Sequence, residues 1–290
     1  MSIRLPAVTV VGSINIDIIA TTDRLPTAGE TIGDGVLHQQ PGGKGANQAV
    51  AAARLGGSAR MIGAVGDDAS GRLMLASLSG AGVDATDVAV LHGDATGTAL
   101  IVVDRDGENQ IVVCPGANSR FSLEGVEFGP EETVLCQLEV GLPVVLEAAR
   151  RSSGFFVLNA APAMDLPADL LERCDLVIVN ETEYELIPAL AEAKLVAVTY
   201  GKDGSAMFEH GHRVAEAPAS AVTVANTIGA GDAFCAALVL ALRVGLSYAR
   251  ALAVANAVGA DAVGDPSSQP ALALLEEYVA RTAGAGVAGR

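Results

Sequence analysis

Six short apolar runs, at 7–11, 59–64, 133–138, 155–158, 176–179 and 195–199, are separated by stretches long enough to hold helices. Each is continuous rather than alternating, so each reads as a strand covered on both faces. Strands of this kind interleaved with helical stretches give a parallel sheet between two helical layers, an α/β fold. With 290 residues, half of them apolar, the chain can bury the core such a sandwich needs.

Polar residues cluster where the runs end. The first leads through Gly12-Ser13-Ile14 to Asn15 and Asp17, which lie two apart and face the same way in an extended chain. Glu139 follows the third run, Asn159 the fourth and Asn180-Glu181-Thr182-Glu183 the fifth. The sixth ends at Thr199, before Tyr200-Gly201-Lys202-Asp203-Gly204, a turn that can lie along phosphate oxygens. Ligands of open parallel sheets bind outside the carboxyl ends of the strands, so these residues can share one site. A polar strand face at Asn15 and Asp17, and a capped helix with an acidic first turn at Asn180 and Glu183, are the competing readings.

Two glycine-rich stretches stand apart. Pro41-Gly42-Gly43-Lys44-Gly45-Ala46-Asn47-Gln48-Ala49 lacks the glycine spacing of a P-loop, and Gly45 stands where a hydroxyl would take magnesium. Its adjacent glycines let backbone approach a small ligand while Lys44 and Asn47 bring donors. Asn226-Thr227-Ile228-Gly229-Ala230-Gly231-Asp232-Ala233-Phe234 joins an extended run at 220–225 to an apolar helix beginning near Ala233. Unpaired N–H groups at a helix N-terminus can hold an anion, and Asp232 beside them is a candidate base working at its ordinary pKa. A plain strand-to-helix turn explains this stretch alone equally well.

Other segments break the alternation. Strands at 18–22 and 31–39, and a hairpin of 98–104 with 109–114 around Arg105-Asp106-Gly107, predict a small β lid within segments 15–40 and 96–115 of a single 1–290 domain. The apolar tract 233–263 contains Arg243, Arg250, Asn256 and Asp261, which divide it into two buried helices (234–244 and 247–263) rather than a membrane span. A loop at 264–270 and a helix at 271–280 follow, while Pro188 limits any helix at 185–194. A formal charge of −16 excludes a nucleic-acid binder. Four cysteines without paired spacing, and no secretory pattern at the N-terminus, predict a reduced cytoplasmic protein.

In their order, Gly-Ser-Ile-Asn-Ile-Asp at 12–17, Gly-Gly-Lys-Gly-Ala-Asn-Gln-Ala at 42–49, Asn-Glu-Thr-Glu at 180–183 and Gly-Ala-Gly-Asp at 229–232 resemble the motifs of the ribokinase-like (PfkB) carbohydrate kinases. The resemblance covers essentially the whole chain. It implies a three-layer α/β/α sandwich with a mostly parallel central sheet and a small β-strand lid that pairs homodimers. The implied activity is ATP-dependent, magnesium-assisted phosphorylation of the primary hydroxyl of a free sugar, D-ribose foremost. A nucleoside or other sugar kinase of the same fold, or a non-catalytic sugar- or nucleotide-binding regulator, is the alternative.

By position, Asp232 resembles the family's base and Gly229, Ala230 and Gly231 its anion hole. Asn15, Asp17, Gly43, Lys44, Asn47 and Glu139 resemble the sugar contacts. Asn180, Thr199, Tyr200, Gly201, Lys202, Asp203, Gly204, Gly231 and Asn256 resemble the nucleotide contacts, with Glu183 meeting magnesium through water. Asn226 and Ile228 fall in the loop that binds a monovalent cation, where the family usually has Asp in place of Asn226. The loop at 264–268 also differs, which predicts weak or altered potassium activation.

Overall fold

A computed structural model describes residues 5–223, 226 and 228–283. The first half of the chain forms β1 (Ala7–Val11), β2 (Asn15–Thr21), β3 (Val36–Gly42), α1 (Lys44–Arg54), β4 (Ser58–Gly66), α2 (Ala69–Gly80), β5 (Asp84–Leu91), β6 (Gly97–Val103) and β7 (Asn109–Cys114). Next come β8 (Thr133–Gln137), α3 (Leu142–Arg151), β9 (Phe156–Asn159), α4 (Ala168–Arg173), β10 (Leu176–Asn180) and α5 (Glu181–Leu186). The last elements are β11 (Val196–Thr199), β12 (Ser205–Glu209), β13 (His212–Ala217), α6 (Ala230–Arg243), α7 (Tyr248–Val263) and α8 (Leu275–Thr282).

Nine strands form the main sheet in the order β13-β12-β11-β10-β9-β8-β1-β4-β5. From β5 to β11 the neighbours run parallel; β12 and β13 add an antiparallel edge. The apolar runs separate by parity into two cores. Leu135, Val157, Leu176 and Ile178 face α1, α6, α7 and α8, while Val134, Cys136, Phe156, Leu158 and Val177 face α3 and α4. A continuous apolar run is what this requires, because both faces of each strand leave water. Ten residues of α6 are buried, so it is a core helix; among the described residues no helix is long and apolar enough to cross a membrane.

A second sheet of four strands, ordered β3-β2-β6-β7, lies beyond the carboxyl end of β1. Here β2 pairs antiparallel with β3 and parallel with β6, and β6 pairs antiparallel with β7.

Several boundaries differ from the sequence reading. Helix α6 begins at Ala230 instead of near Ala233, because small residues in a first turn carry no periodic apolar signal. No strand covers 220–223, and 224–225 lie outside the described residues. The strand expected at 31–39 is β3, set by its pairing of Asn15 with Gly42. The final helix starts at Leu275 because 264–274 is loop tied to α1: Arg54 donates to the carbonyls of Gln269 and Pro270.

Candidate active site

At the end of β1 the chain leaves the main sheet and crosses through Gly12-Ser13-Ile14 into β2. The first turn of α1 lies against this crossing so closely that a Cβ on Gly45 would come within 2.6 Å of the Gly12 carbonyl carbon. Gly43 has φ 87°, and a Cβ there would meet Ser13 O and Asn15 N at 2.8 Å. Only glycine combines that left-handed conformation with that contact. The close approach sets Lys44 and Asn47 beside Asn15 and Asp17.

Glu139, just past β8, accepts from Lys44 N at 3.2 Å and from the Ser13 hydroxyl, so its carboxylate closes the N-terminus of α1. Asn118, buried behind the lid strands, donates to Asn15 Oδ1 at 2.8 Å and accepts from Ile14 N at 2.9 Å, which orients Asn15. Asp17 is 6% exposed, and burial, with Glu139 and Asp232 nearby, pushes its pKa up to about 7. Burial opposes the charge of Lys44, but the attraction of Asp232, Glu139 and Glu183 outweighs it and raises that pKa.

Opposite this wall stands the first turn of α6. Gly229 is left-handed (φ 80°), and a Cβ on it would lie 2.0 Å from Ser268 O. Having no side chain, it cannot cap the helix, and the first amides of α6 have no intrahelical acceptor. Asp232 follows in the same turn, buried, with Oδ2 accepting from Asn47 Nδ2 at 3.1 Å and Oδ1 from Gln48 Nε2 at 2.9 Å. Its pKa is not the ordinary one expected: burial pushes it up, against the opposing effects of Lys44 and the two amides.

One cavity opens between these walls. Asn15, Asp17, Gly43, Lys44, Asn47 and Glu139 line one side; Ile228, Gly229, Gly231 and Asp232 line another; Asn180, Glu183 and Thr199 line a third. Ala230 belongs to the same helical turn but is not part of the lining. Asn180 and Glu183 also form a capping box for α5, each side chain accepting from the other's backbone N–H at 2.8 and 2.9 Å. The two readings of this pair are therefore compatible: the box rigidifies Glu183 and leaves it at the cavity wall.

Other expected contacts lie outside the cavity. Tyr200 and Asp203 line a separate cleft with Arg213 and Glu216, and Gly201, Lys202 and Gly204 belong to the turn between β11 and β12. Asn256 accepts from Ser205 Oγ at 2.9 Å and donates to the carbonyls of Ala217 and Pro218, so it ties α7 to the edge strands. Asn226 donates to Pro266 O at 2.8 Å and accepts from Ile228 N at 3.0 Å, bridging the loop before α6 to the loop after α7.

The cavity also contains residues that the sequence reading left without a role. Asn159 had a visible signal as the polar end of a strand. Ala99, Ile101, Ile111 and Val113 cover the cavity from the lid; the continuous apolar runs of the hairpin did not single them out, and only the strand register does. Phe234 is the one aromatic in the lining. Asn118 and Gln48, which stand behind the lining and bond to Asn15 and Asp232, had no signal beyond being polar.

The model of the family described as pfkB family carbohydrate kinase matches residues 6–273. The chain is 35% identical over 263 residues to the ribokinase of Bacillus subtilis (strain 168), covering 85% of this chain and 89% of that protein. Among solved structures, Thermotoga maritima ribokinase superposes with a TM-score of 0.85 at 29% identity, covering 96% of this chain and 99% of that one. Arabidopsis thaliana ribokinase, complexed with ribose and ATP, superposes with a TM-score of 0.83 at 28% identity, covering 96% and 98%.

Proposed function

The chain belongs to the pfkB family of carbohydrate kinases, and from that premise we propose that it transfers the γ-phosphoryl group of ATP to the primary hydroxyl of free D-ribose, with Asp232 as the base. The observation that carries this reading is the meeting, in one cavity, of a buried carboxylate on a glycine-started helix turn with Asn15, Asp17, Lys44 and Glu139. The lining favours a free sugar. Lys44 stands among Asp17, Glu139, Glu183 and Asp232, so a phosphorylated sugar would meet net negative charge. Aliphatic lid residues offer a furanose a cover but give a nucleobase no stacking partner on that side.

In this mechanism Asn15, Asp17, Lys44 and Glu139 hold the secondary hydroxyls and aim the primary one at Asp232. The Asp232 carboxylate takes the hydroxyl proton as that oxygen attacks the γ-phosphorus and the bond to the β–γ bridging oxygen breaks, releasing ADP. A raised pKa strengthens Asp232 as acceptor, while Lys44, Asn47 and Gln48 keep it ionised. The amides of Ala230 and Gly231 at the start of α6 stabilise the transferring group, with Gly229 providing the turn. ATP lies across Asn180 and Thr199, with the 200–204 turn and Asn256 shaping the far end of its site.

The acidic lining fits a nucleotide that arrives with magnesium, which would offset the charge of its phosphates. Glu183, with one oxygen committed to the capping box, would meet the water shell of that ion. Free thiols at Cys114, Cys136, Cys174 and Cys235 suit a reducing compartment such as the cytoplasm. Two copies pair through the outer face of the lid.

The test is a coupled ADP-release assay with magnesium-ATP over ribose, deoxyribose, other pentoses, fructose and nucleosides. Ribose should give the highest kcat/KM, and release with none of them would leave a binding protein. Asp232→Asn should lower kcat by roughly 10²–10⁴-fold with both KM values little changed. Near-parental turnover in that variant would remove Asp232 from the role of base.

A further inference from the structure

We propose that Gln48 is a positioning residue of the transfer site, fixing the plane of the Asp232 carboxylate and favouring its ionised form through a donated hydrogen bond. This rests on Asp232 being the base. Gln48 lies in the second turn of α1, fully buried. Its amide nitrogen donates to Asp232 Oδ1 at 2.9 Å and to Asn159 Oδ1 at 3.0 Å, and its oxygen accepts from Gln137 Nε2 at 2.5 Å.

The direction of this chain is not free. An ionised carboxylate only accepts, and Asn159 commits its own nitrogen to Ile178 O at 3.1 Å, so both partners require the NH2 end of Gln48. Gln137, donating from behind, holds the amide that way round. Residues on α1, β8 and β9 thus converge to orient one carboxylate on α6.

Packing alone does not account for the arrangement. Gln137 is fully buried, and its Oε1 has no hydrogen-bond partner among the described residues, a cost that an apolar residue of similar shape would avoid. The same oxygen lies 1.9 Å from where a Cβ on Gly12 would stand, so the end of β1 is kept bare to admit it. Asn47 also donates to Asp232, and its oxygen accepts from Gln269 at 3.3 Å.

The test replaces Gln48 with methionine, which keeps length and volume but removes the donor. The charged and titratable groups around Asp232 are Lys44 on α1, Asp17 on β2, Glu139 after β8, Glu183 on α5 and Cys235 on α6; the substitution changes none of them. With saturating ribose and magnesium-ATP, Gln48→Met should lower kcat at pH 7 by about 10–100-fold, with both KM values within about threefold. The acidic limb of the kcat profile should move up by about one pH unit, so that raising the pH restores part of the rate.

A fall in kcat with an unmoved limb would make Gln48 a packing residue and overturn the proposal, as would unchanged kcat. If Gln48→Met fails to fold by circular dichroism, Gln137→Met decides. It removes the donor that holds the Gln48 amide from behind, and should move the limb in the same direction by less; no movement counts against the proposal. Asp232→Asn, assayed in parallel, separates the two failures. If that variant is inactive while the limb stays put, only the role of Gln48 falls; if it retains turnover, the reading of Asp232 falls as well.

Discussion

A single methyl group at Gly229 tests whether the start of α6 is as constrained as its geometry implies. It would have to occupy a left-handed backbone and lie 2.0 Å from Ser268 O, so the turn or the 264–268 loop must move. Gly229→Ala should therefore destabilise the protein by about 1–3 kcal/mol in denaturant unfolding, and kcat should fall more than KM because the amides of Ala230 and Gly231 shift. Asp17 gives a second prediction. Its pKa is about 7 in the folded protein against 3.8 unfolded, so between those values the folded state binds the extra proton and stability falls as pH rises. Asp17→Asn should thus gain stability over the parent at pH 8, by up to about 4 kcal/mol over three pH units, with the gain absent below pH 4. Equal pH dependence of Tm in the two proteins would contradict it. With Asp17 in its proposed role as an ionised ribose contact, parental KM for ribose should rise as pH drops below 7. At this scale the residues of the candidate site were legible where they follow a strand or interrupt a glycine run, as Glu139 and Lys44 do. Asn118 and Gln48 were not, because their partners are 104 and 184 positions away, and Asp232's pKa depends on a burial that no sequence window contains.

Among the elements, buried strands were readable because burial on both faces writes an unbroken apolar run; β5 and β13 were missed because they are the two sheet edges and largely exposed, and β12 because its short apolar run, though mostly buried, is bounded by Ser205 and Glu209. Helices α3 and α4 were missed for different reasons: Pro143 sits at the start of the first, and the second has six residues, too few to show a period. The two loops flanking α6 and α7 carry the prediction proper to this scale. Asn226 joins them by donating its amide to Pro266 O, a contact that an aspartate could make only with a cation between the two oxygens. The parent should therefore respond weakly to potassium at constant ionic strength. Asn226→Asp removes the donor and sets carboxylate against carbonyl, and its rate should become potassium-dependent, rising with KCl but not with tetramethylammonium chloride. A steep potassium response in the parent would show that the amide does not perform this bridging.

On the scale of the whole molecule, the two sheets differ in how completely they are covered. The main sheet is sandwiched between helices, whereas the lid has one face over the cavity and one that no described element covers. Register fixes the division: Asp17, Ala99 and Val113 form one cross-strand row facing the cavity, and Ile18, Leu100 and Val112, one residue on, form a row pointing outward. Leu100 is 44% exposed, Val112 60% and Leu37, on the same outer face, 64%. A contiguous apolar sheet face of this kind marks an association surface more often than an isolated exposed leucine does. The occupant proposed here is a second copy, whose identical face supplies complementary rows under a twofold axis. Sedimentation at micromolar concentration should give a dimer, and Leu100→Lys with Val112→Lys should give a monomer, since each subunit would bring two like charges to the same buried centre. Neither residue lines the cavity, so the monomer should retain kcat within a few-fold. A parental protein that sediments as a monomer would remove the dimer, and would leave the apolar outer face of β6 and β7 to be covered by something else.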